Sequence, residues 1–349
     1  MNRLGFILLA FALSSGQAPT SPGWTLYDAG VTARLRGVSA PRTNVVWASG
    51  TDGTIVRTTD AGRTWKRLTI PDTDKLDFRD VDAVDDRTAW VLSIGNGDAS
   101  RIYKTTDGGS TWTLQFRNDD PKAFYDAMAF RDSRRGFAFS DSVDGQFVIL
   151  RTDDGGRTWT RIPAAALPPA LDGEGAYAAS GSNIAIVAEN LWIATSRSRV
   201  LRSTDAGSSW TVAQTPVPTS SSAGIFSIAF RDSQQGIVVG GDYQKESEAV
   251  NNAAITIDGG RTWATVYGLK GYRSAVAYMP GQNRTWIAVG PSGSDLSRDD
   301  GRSWSTIAGP GFHSVAVPSR SSVAWGVGER GAVGRLEIED SSINPRVIR

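Results

Sequence analysis

"TTDGGSTW", Thr105–Trp112, packs hydroxyls, a carboxylate, two glycines and an indole into eight residues. Alone it could pass for a reactive cluster, but the chain carries the phrase six times. The other copies are "TTDAGRTW" (Thr58–Trp65), "TDDGGRTW" (Thr152–Trp159), "STDAGSSW" (Ser203–Trp210), "TIDGGRTW" (Thr256–Trp263) and "SRDDGRSW" (Ser297–Trp304). The shared pattern is Ser/Thr-x-Asp-x-Gly-x-Ser/Thr-Trp. A short Asp side chain bonds backbone amides two or more residues on, Gly supplies positive φ, and hydroxyls cap turn amides. The pattern therefore reads as a hairpin turn, with Asp60, Asp107, Asp154, Asp205, Asp258 and Asp299 in structural roles.

The motif tryptophans are spaced 47, 47, 51, 53 and 41 residues apart. Repeats of roughly 40–50 residues built from short strands point to a β-propeller. In the second period "FRDVDAV", "TAWVLSI", "RIYKT" and "WTLQF" are strand-like pieces, rich in β-branched and aromatic residues, and the motif joins the third to the fourth. A seventh period lacks the motif: "FHSVAV", "VAWGVG" and "GAVGRLEI" supply three strands, and Trp24–Tyr27 near the N-terminus supplies the missing outer one. The expected fold is all-β: a single seven-bladed propeller of four-stranded antiparallel blades over residues 19–340, closed by its N-terminal strand. Trp47, Trp90, Trp192, Trp286 and Trp325 fall in second strands, with Phe137 and Ile237 in that column in the other two blades.

With a net charge of +1, the chain has no global attraction to nucleic acid or anionic membranes. Cys 0 and His 1 exclude thiol chemistry, disulfides and Cys/His zinc sites. "DTDKLD" (Asp72–Asp77) lacks the Gly and final Glu of a calcium loop, so neither metal nor cofactor is expected. The start differs: Met1-Asn2-Arg3, the apolar "LGFILLAFAL", then "SSGQA". This is the layout of a signal peptide, residues 1–18, with an apolar run of about ten residues, too short to span a bilayer. The expectation is a periplasmic or secreted monomer with no membrane span in the mature chain and a flexible tail at 341–349.

The repeated turn is that of Asp-box, or BNR, proteins. Together with "AFYDAMAFRDSRRGFAFSD" and "GIFSIAFRDSQQGIVVGG", it resembles the photosystem II stability/assembly factor-like family over roughly residues 23–338. The resemblance implies a single seven-bladed propeller and, in photosynthetic organisms, a role in assembling photosystem II on the lumenal side. Sialidases, xyloglucanases and sortilin-type domains are similar in their repeats, but a shared fold does not carry function. The oxidoreductase label borne by some family members finds no support, because no dinucleotide fingerprint follows a strand.

In a propeller, segments entering first strands share one face with loops joining second and third strands, whereas the motif turns lie on the other. Aligned first-strand starts give Arg36, Arg79, Tyr125, Tyr177, Phe226, Arg273 and His313 at one level near the channel mouth. Converging guanidiniums suit a carboxylate or phosphate on a ligand or partner chain. The competing reading pairs each Arg with a nearby Asp, such as Asp80, Asp82 or Asp126. The longest insert, Gly241–Asn252, lies on this face and brings Tyr243, while Pro163–Tyr177 brings Asp172 and Glu174.

Arg36, Arg79 and Arg273 with Tyr125 or Tyr177 could imitate part of a sialidase site, and Arg161-Ile162-Pro163 matches a sialidase signature. That signature follows a motif Trp in mid-chain rather than preceding the first turn. Among Asp126, Asp172, Glu174 and Asp242, no spacing singles out an acid pair. The preferred function is an exported, non-catalytic protein-binding or assembly factor, and the alternative is a sialidase-like glycosidase using the Arg/Tyr-lined mouth.

Overall fold

A computed structural model describes residues 22–338; the expected signal peptide, 1–18, and tail, 341–349, lie outside the described residues. Seven four-stranded sheets follow one another around a ring. Blade one shows the layout: Leu35–Arg42, Val45–Gly50, Ile55–Thr58 and Lys66–Leu68, each strand antiparallel to the next. Blade seven takes Ser314–Ala316, Val323–Val327 and Ala332–Glu337 from the C-terminal end, and Thr25–Asp28 completes it. That strand pairs antiparallel from Thr25↔Arg335 to Asp28↔Ala332. The closure runs one residue later than the sequence suggests. Trp24 stays outside the ladder, tilted on Phe312 at 4.5 Å with its indole N–H on Ser294 Oγ at 3.2 Å.

The apolar residues pack between blades. Val45, Trp47 and Ile55 of blade one meet Phe78, Val81 and Val91 of blade two, and Trp325, Val327 and Val333 of blade seven meet Leu35, Val46 and Val56 of blade one. No blade holds its own core, so the ring closes as a unit. The five second-strand tryptophans are 0–1% exposed. Two of them reach the repeated turn of the following blade: Trp90 donates to the Gly155 carbonyl at 3.0 Å and Trp192 to that of Gly259 at 2.8 Å. Trp90 also stacks on Phe130 at 3.8 Å, and Trp192 on Phe230 at 3.6 Å.

The repeated turn spends its polar groups locally. The Thr105 hydroxyl donates to Asp107 Oδ1 at 2.9 Å and accepts from the Gly109 amide at 2.9 Å. Asp107 then accepts from the Thr111 amide at 2.9 Å and hydroxyl at 2.6 Å. The same bonds recur at Asp60, Asp154, Asp205, Asp258 and Asp299. Donation from the Thr111 hydroxyl, then its amide, holds the Asp107 carboxyl at about 2. Gly109, at φ +82, provides the left-handed step. Of the six motif indoles, those of Trp210 and Trp304 bond a carbonyl of their own turn, at 3.0 Å each.

Inner strands are joined by short side chains to the next backbone. Ser39 Oγ accepts from Ala83, Asp80 from Met128, Asp82 from Phe130 and Ser227 Oγ from Val276, at 2.6–3.0 Å. Asp80 and Asp82 therefore bond amides of the following blade and do not pair with arginines. Burial raises both carboxyls, Asp82 to about 6.

Candidate functional site

Where the inner strands begin, the ladder skips one residue in four blades. The register shifts between Leu35 and Gly37, Phe78 and Asp80, Tyr125 and Ala127, and Ile225 and Ser227. A bulge re-aims the extra side chain, and here the extra residues are Arg36, Arg79, Asp126 and Phe226. Arg36, Arg79 and Phe226 face a cavity of about 530 Å³ at the channel mouth, shared with Tyr177, Tyr243 and His313.

Two expected members are absent from it, for one reason. Tyr125 stands at the level of Leu35 and Phe78, one residue before the bulge, and points between blades. It is 3% exposed, edge-on to Phe116 at 5.1 Å among Leu92, Ile102 and Val148. Arg273 occupies the same level: the Gly290 backbone abuts it as that of Gly50 abuts Leu35. It is 1% exposed and paired with Asp295 at 2.6 Å, with further bonds to the Tyr272 carbonyl and Ser292 Oγ. A one-residue slip in a strand reverses the face a side chain occupies, and the sequence alignment carried that slip in blades three and six. Tyr272, just before Arg273, lines the mouth instead.

Arg34, Tyr272 and Glu329 also line the cavity and were missed, while Glu246 enters it from the expected insert, Gly241–Asn252. Arg34 had a signal, since it lies two residues from Arg36 on the same face. Glu329 had one too, because it sits in the second-to-third-strand connection of blade seven, on the mouth face.

The three mouth arginines differ in what balances them. Arg34 pairs with Glu329 at 2.8 Å, and Arg79 with Asp77 at 2.8 Å. Arg36 has no carboxylate partner among the described residues. Its Nη1 donates to the Ala179 carbonyl at 3.3 Å, its buried Nε has no partner, and burial followed by the nearby Arg79 charge pulls it down to about 10. His313 Nε2 lies 2.7 Å from Glu329 Oε1. Burial, then Arg36, pulls the imidazole down to about 4, so it is neutral at pH 7. Hydrogen bonds from His313 and Arg34 outweigh the burial of Glu329 and lower its carboxyl.

The channel is blocked beneath this cavity. Blade four begins its inner strand only at Ile184, and the approach, residues 178–182, crosses the axis. Arg79 donates to the Ala178 carbonyl at 2.8 Å and Arg36 to that of Ala179. Ser180 donates to the Ser274 carbonyl at 2.8 Å and accepts from Ser314 at 3.0 Å. Blades one, two, six and seven thus grip a segment of blade four. Gly181 lies at φ +72, and a Cβ there would come within 2.3 Å of Asp80 Oδ1.

The candidate carboxylates do not converge. Glu174 is fully buried, taking the Thr195 hydroxyl at 2.6 Å, the Leu171 amide at 2.8 Å and both sides of the Arg199 guanidinium. Asp126 turns to Asp141, burial raising both carboxyls. Asp242 accepts from the Gln244 amide at 2.9 Å, and Asp172 is exposed.

No protein-family model and no curated protein sequence matches the chain. Solved structures do. YCF48 bound to D1 peptide superposes with a TM-score of 0.65 at 17% identity, covering 92% of this chain and 100% of that one. YCF48 from Cyanidioschyzon merolae gives 0.64 at 18%, over 90% of this chain and 99% of that one. At these identities the chain is similar to YCF48 in its fold, a propeller matched over nearly the full length of both.

Proposed function

We propose that this protein is an exported, non-catalytic propeller that binds a segment of a partner protein at its channel mouth and serves in assembly or stability of a complex. One observation carries the reading: Arg36 is part-buried in a blind cavity, next to a second guanidinium and with no carboxylate of its own. A guanidinium held this way gains most from an incoming carboxylate. The similarity to a propeller solved with a D1 peptide supports a protein partner. No helix among the described residues is long and apolar enough to cross a membrane.

The glycosidase alternative loses its parts. Arg273 is neutralised by Asp295, Arg79 by Asp77, and of the two acids lining the cavity, Glu246 and Glu329, the second is engaged by Arg34 and His313. Burial raises the Tyr272 phenol far above its ordinary value, the reverse of what a nucleophile needs.

The test is crosslinking and affinity capture from periplasmic and membrane fractions with wild-type protein, Arg36→Glu and a loop variant lacking 243–250. The expected outcome is a partner set lost with Arg36→Glu. An unchanged set would refute the mouth as the site. Turnover of fluorogenic sialosides abolished by Arg36→Gln would overturn the non-catalytic reading.

A further inference from the structure

The cavity has two unlike walls. One is cationic, formed by Arg34, Arg36 and Arg79. The other is aromatic. Tyr177 lies flat on Phe226 at 3.9 Å and 3°, and Tyr272 meets the Phe226 ring edge-on at 4.6 Å. Tyr243 stands edge-on to Tyr177 at 6.4 Å and to Phe226 at 6.2 Å. Tyr177, Phe226 and Tyr272 form a small cluster of their own with Ala179, apart from the inter-blade cores.

Packing alone does not explain Tyr243. Its ring is 44% exposed, on a connection whose neighbours from Gln244 to Val250 are all exposed. The connection is nonetheless pinned: the Glu246 carbonyl accepts the Tyr272 amide at 2.9 Å and Ser292 Oγ at 3.2 Å, and Asn252 holds the Glu248 carbonyl at 2.8 Å. A fixed loop thus presents a half-wet ring over a cavity that also holds an unbalanced guanidinium. The floor is closed by Ala178 and Ala179, so an occupant enters from the mouth and stops there.

We propose that the mouth selects a partner segment in which an aromatic side chain stands beside an acidic one, the ring packing on Tyr177 and Tyr243, which Phe226 backs from beneath, and the carboxylate reaching Arg36. This rests on the partner-binding reading above and adds the chemistry of the occupant. Rings prefer edge-to-face and offset contacts, both offered here, and gain from them beyond simple area burial. Glu246, at the lip, disfavours a second acidic residue on the aromatic side.

The experiment measures fluorescence anisotropy of fluorescein-labelled, C-terminally amidated Gly-Ser-Gly-Phe-Asp-Gly-Ser, with Ala-Asp and Phe-Asn versions as controls, on the full mature protein. The Phe-Asp peptide is expected to bind about tenfold tighter than either control. Tyr243→Ala, at an exposed position, should remove most of the Phe advantage and leave the Ala-Asp peptide unchanged. Arg36→Gln should bring Phe-Asp to the level of Phe-Asn. Equal binding of Phe-Asp and Ala-Asp, a Phe advantage that survives Tyr243→Ala, or no binding of any of the three overturns the inference. If partner capture still depends on Arg36 in those cases, the partner-binding reading stands without it.

Discussion

The two faces of the ring are built from opposite kinds of sequence. On the face of the repeated turns, six near-identical phrases make the same bonds, and Asp107 and its counterparts have their carboxylates occupied by the next residues of their own turns. On the mouth face even residues at matching positions differ in what balances them. Arg34 is balanced by Glu329, Arg79 by Asp77, and Arg36 by no acid at all. Repetition marks the support that six of the seven blades share. Departure from it marks what a single place does, provided the departing residue is not itself a support.

That proviso gives the largest expected effect. Arg273 departs from the column as sharply as Arg36, yet it is buried with Asp295. Asp295→Ala leaves a buried guanidinium uncompensated and should cost about 3–5 kcal/mol. Chemical denaturation measures it; a loss near that of a surface substitution would mean that Arg273 is free to serve the mouth. Next is the segment across the channel. Gly181→Ala forces a side chain onto φ +72 and against Asp80, which should cost about 1–3 kcal/mol. Of similar size on the regular face is Thr105→Ala, which strands the buried Gly109 amide for about 1–2 kcal/mol. If Thr105→Ala cost nothing, the view of the turns as supports would fail.

The regular face was legible because its information is local. Thr105, Asp107 and Thr111 bond within one turn, so spacing alone reveals them, and six repeats place the blades and even the closing strand to within one residue. The mouth depends on single-residue register. A bulge at Arg36 and Arg79, invisible in the sequence, decides which neighbour faces the cavity, and the same shift hides Tyr125 and Arg273. The segment 178–182 was illegible for a related reason. Its carbonyls are gripped by residues as much as 143 positions away, and no local pattern encodes that.

The faces should also separate with pH. Burial and Arg36 place His313 at about 4 in the folded chain, below its ordinary value of 6.5. A group depressed on folding gives stability that is full above its unfolded value and is lost as pH falls through the window. The mouth therefore weakens between pH 6.5 and about 4. Asp107, lowered from 3.8 to about 2, weakens its turn only below 3.8. Asp82, raised from 3.8 to about 6, has the opposite sign: its contribution is full below 3.8 and fades as pH rises to about 6. Between pH 7 and 4, His313→Gln should gain stability toward acid relative to wild type, and Asp82→Asn should lose it, as melting curves measure. An unaltered profile in His313→Gln would break the separation.

The smallest effect on stability is the most informative. Arg36→Gln removes a cation that sits beside Arg79, pairs with no carboxylate and is pulled down by burial. Its one hydrogen bond, to the Ala179 carbonyl at 3.3 Å, is long, and glutamine keeps a donor for it. The melting temperature should therefore stay level or rise slightly, whereas partner capture falls. A residue whose loss spares the fold and removes the partner is one kept for the partner. If Arg36→Gln instead destabilised the protein as much as Asp295→Ala, Arg36 would be another support, and the contrast between the two faces would reduce to one of regularity alone.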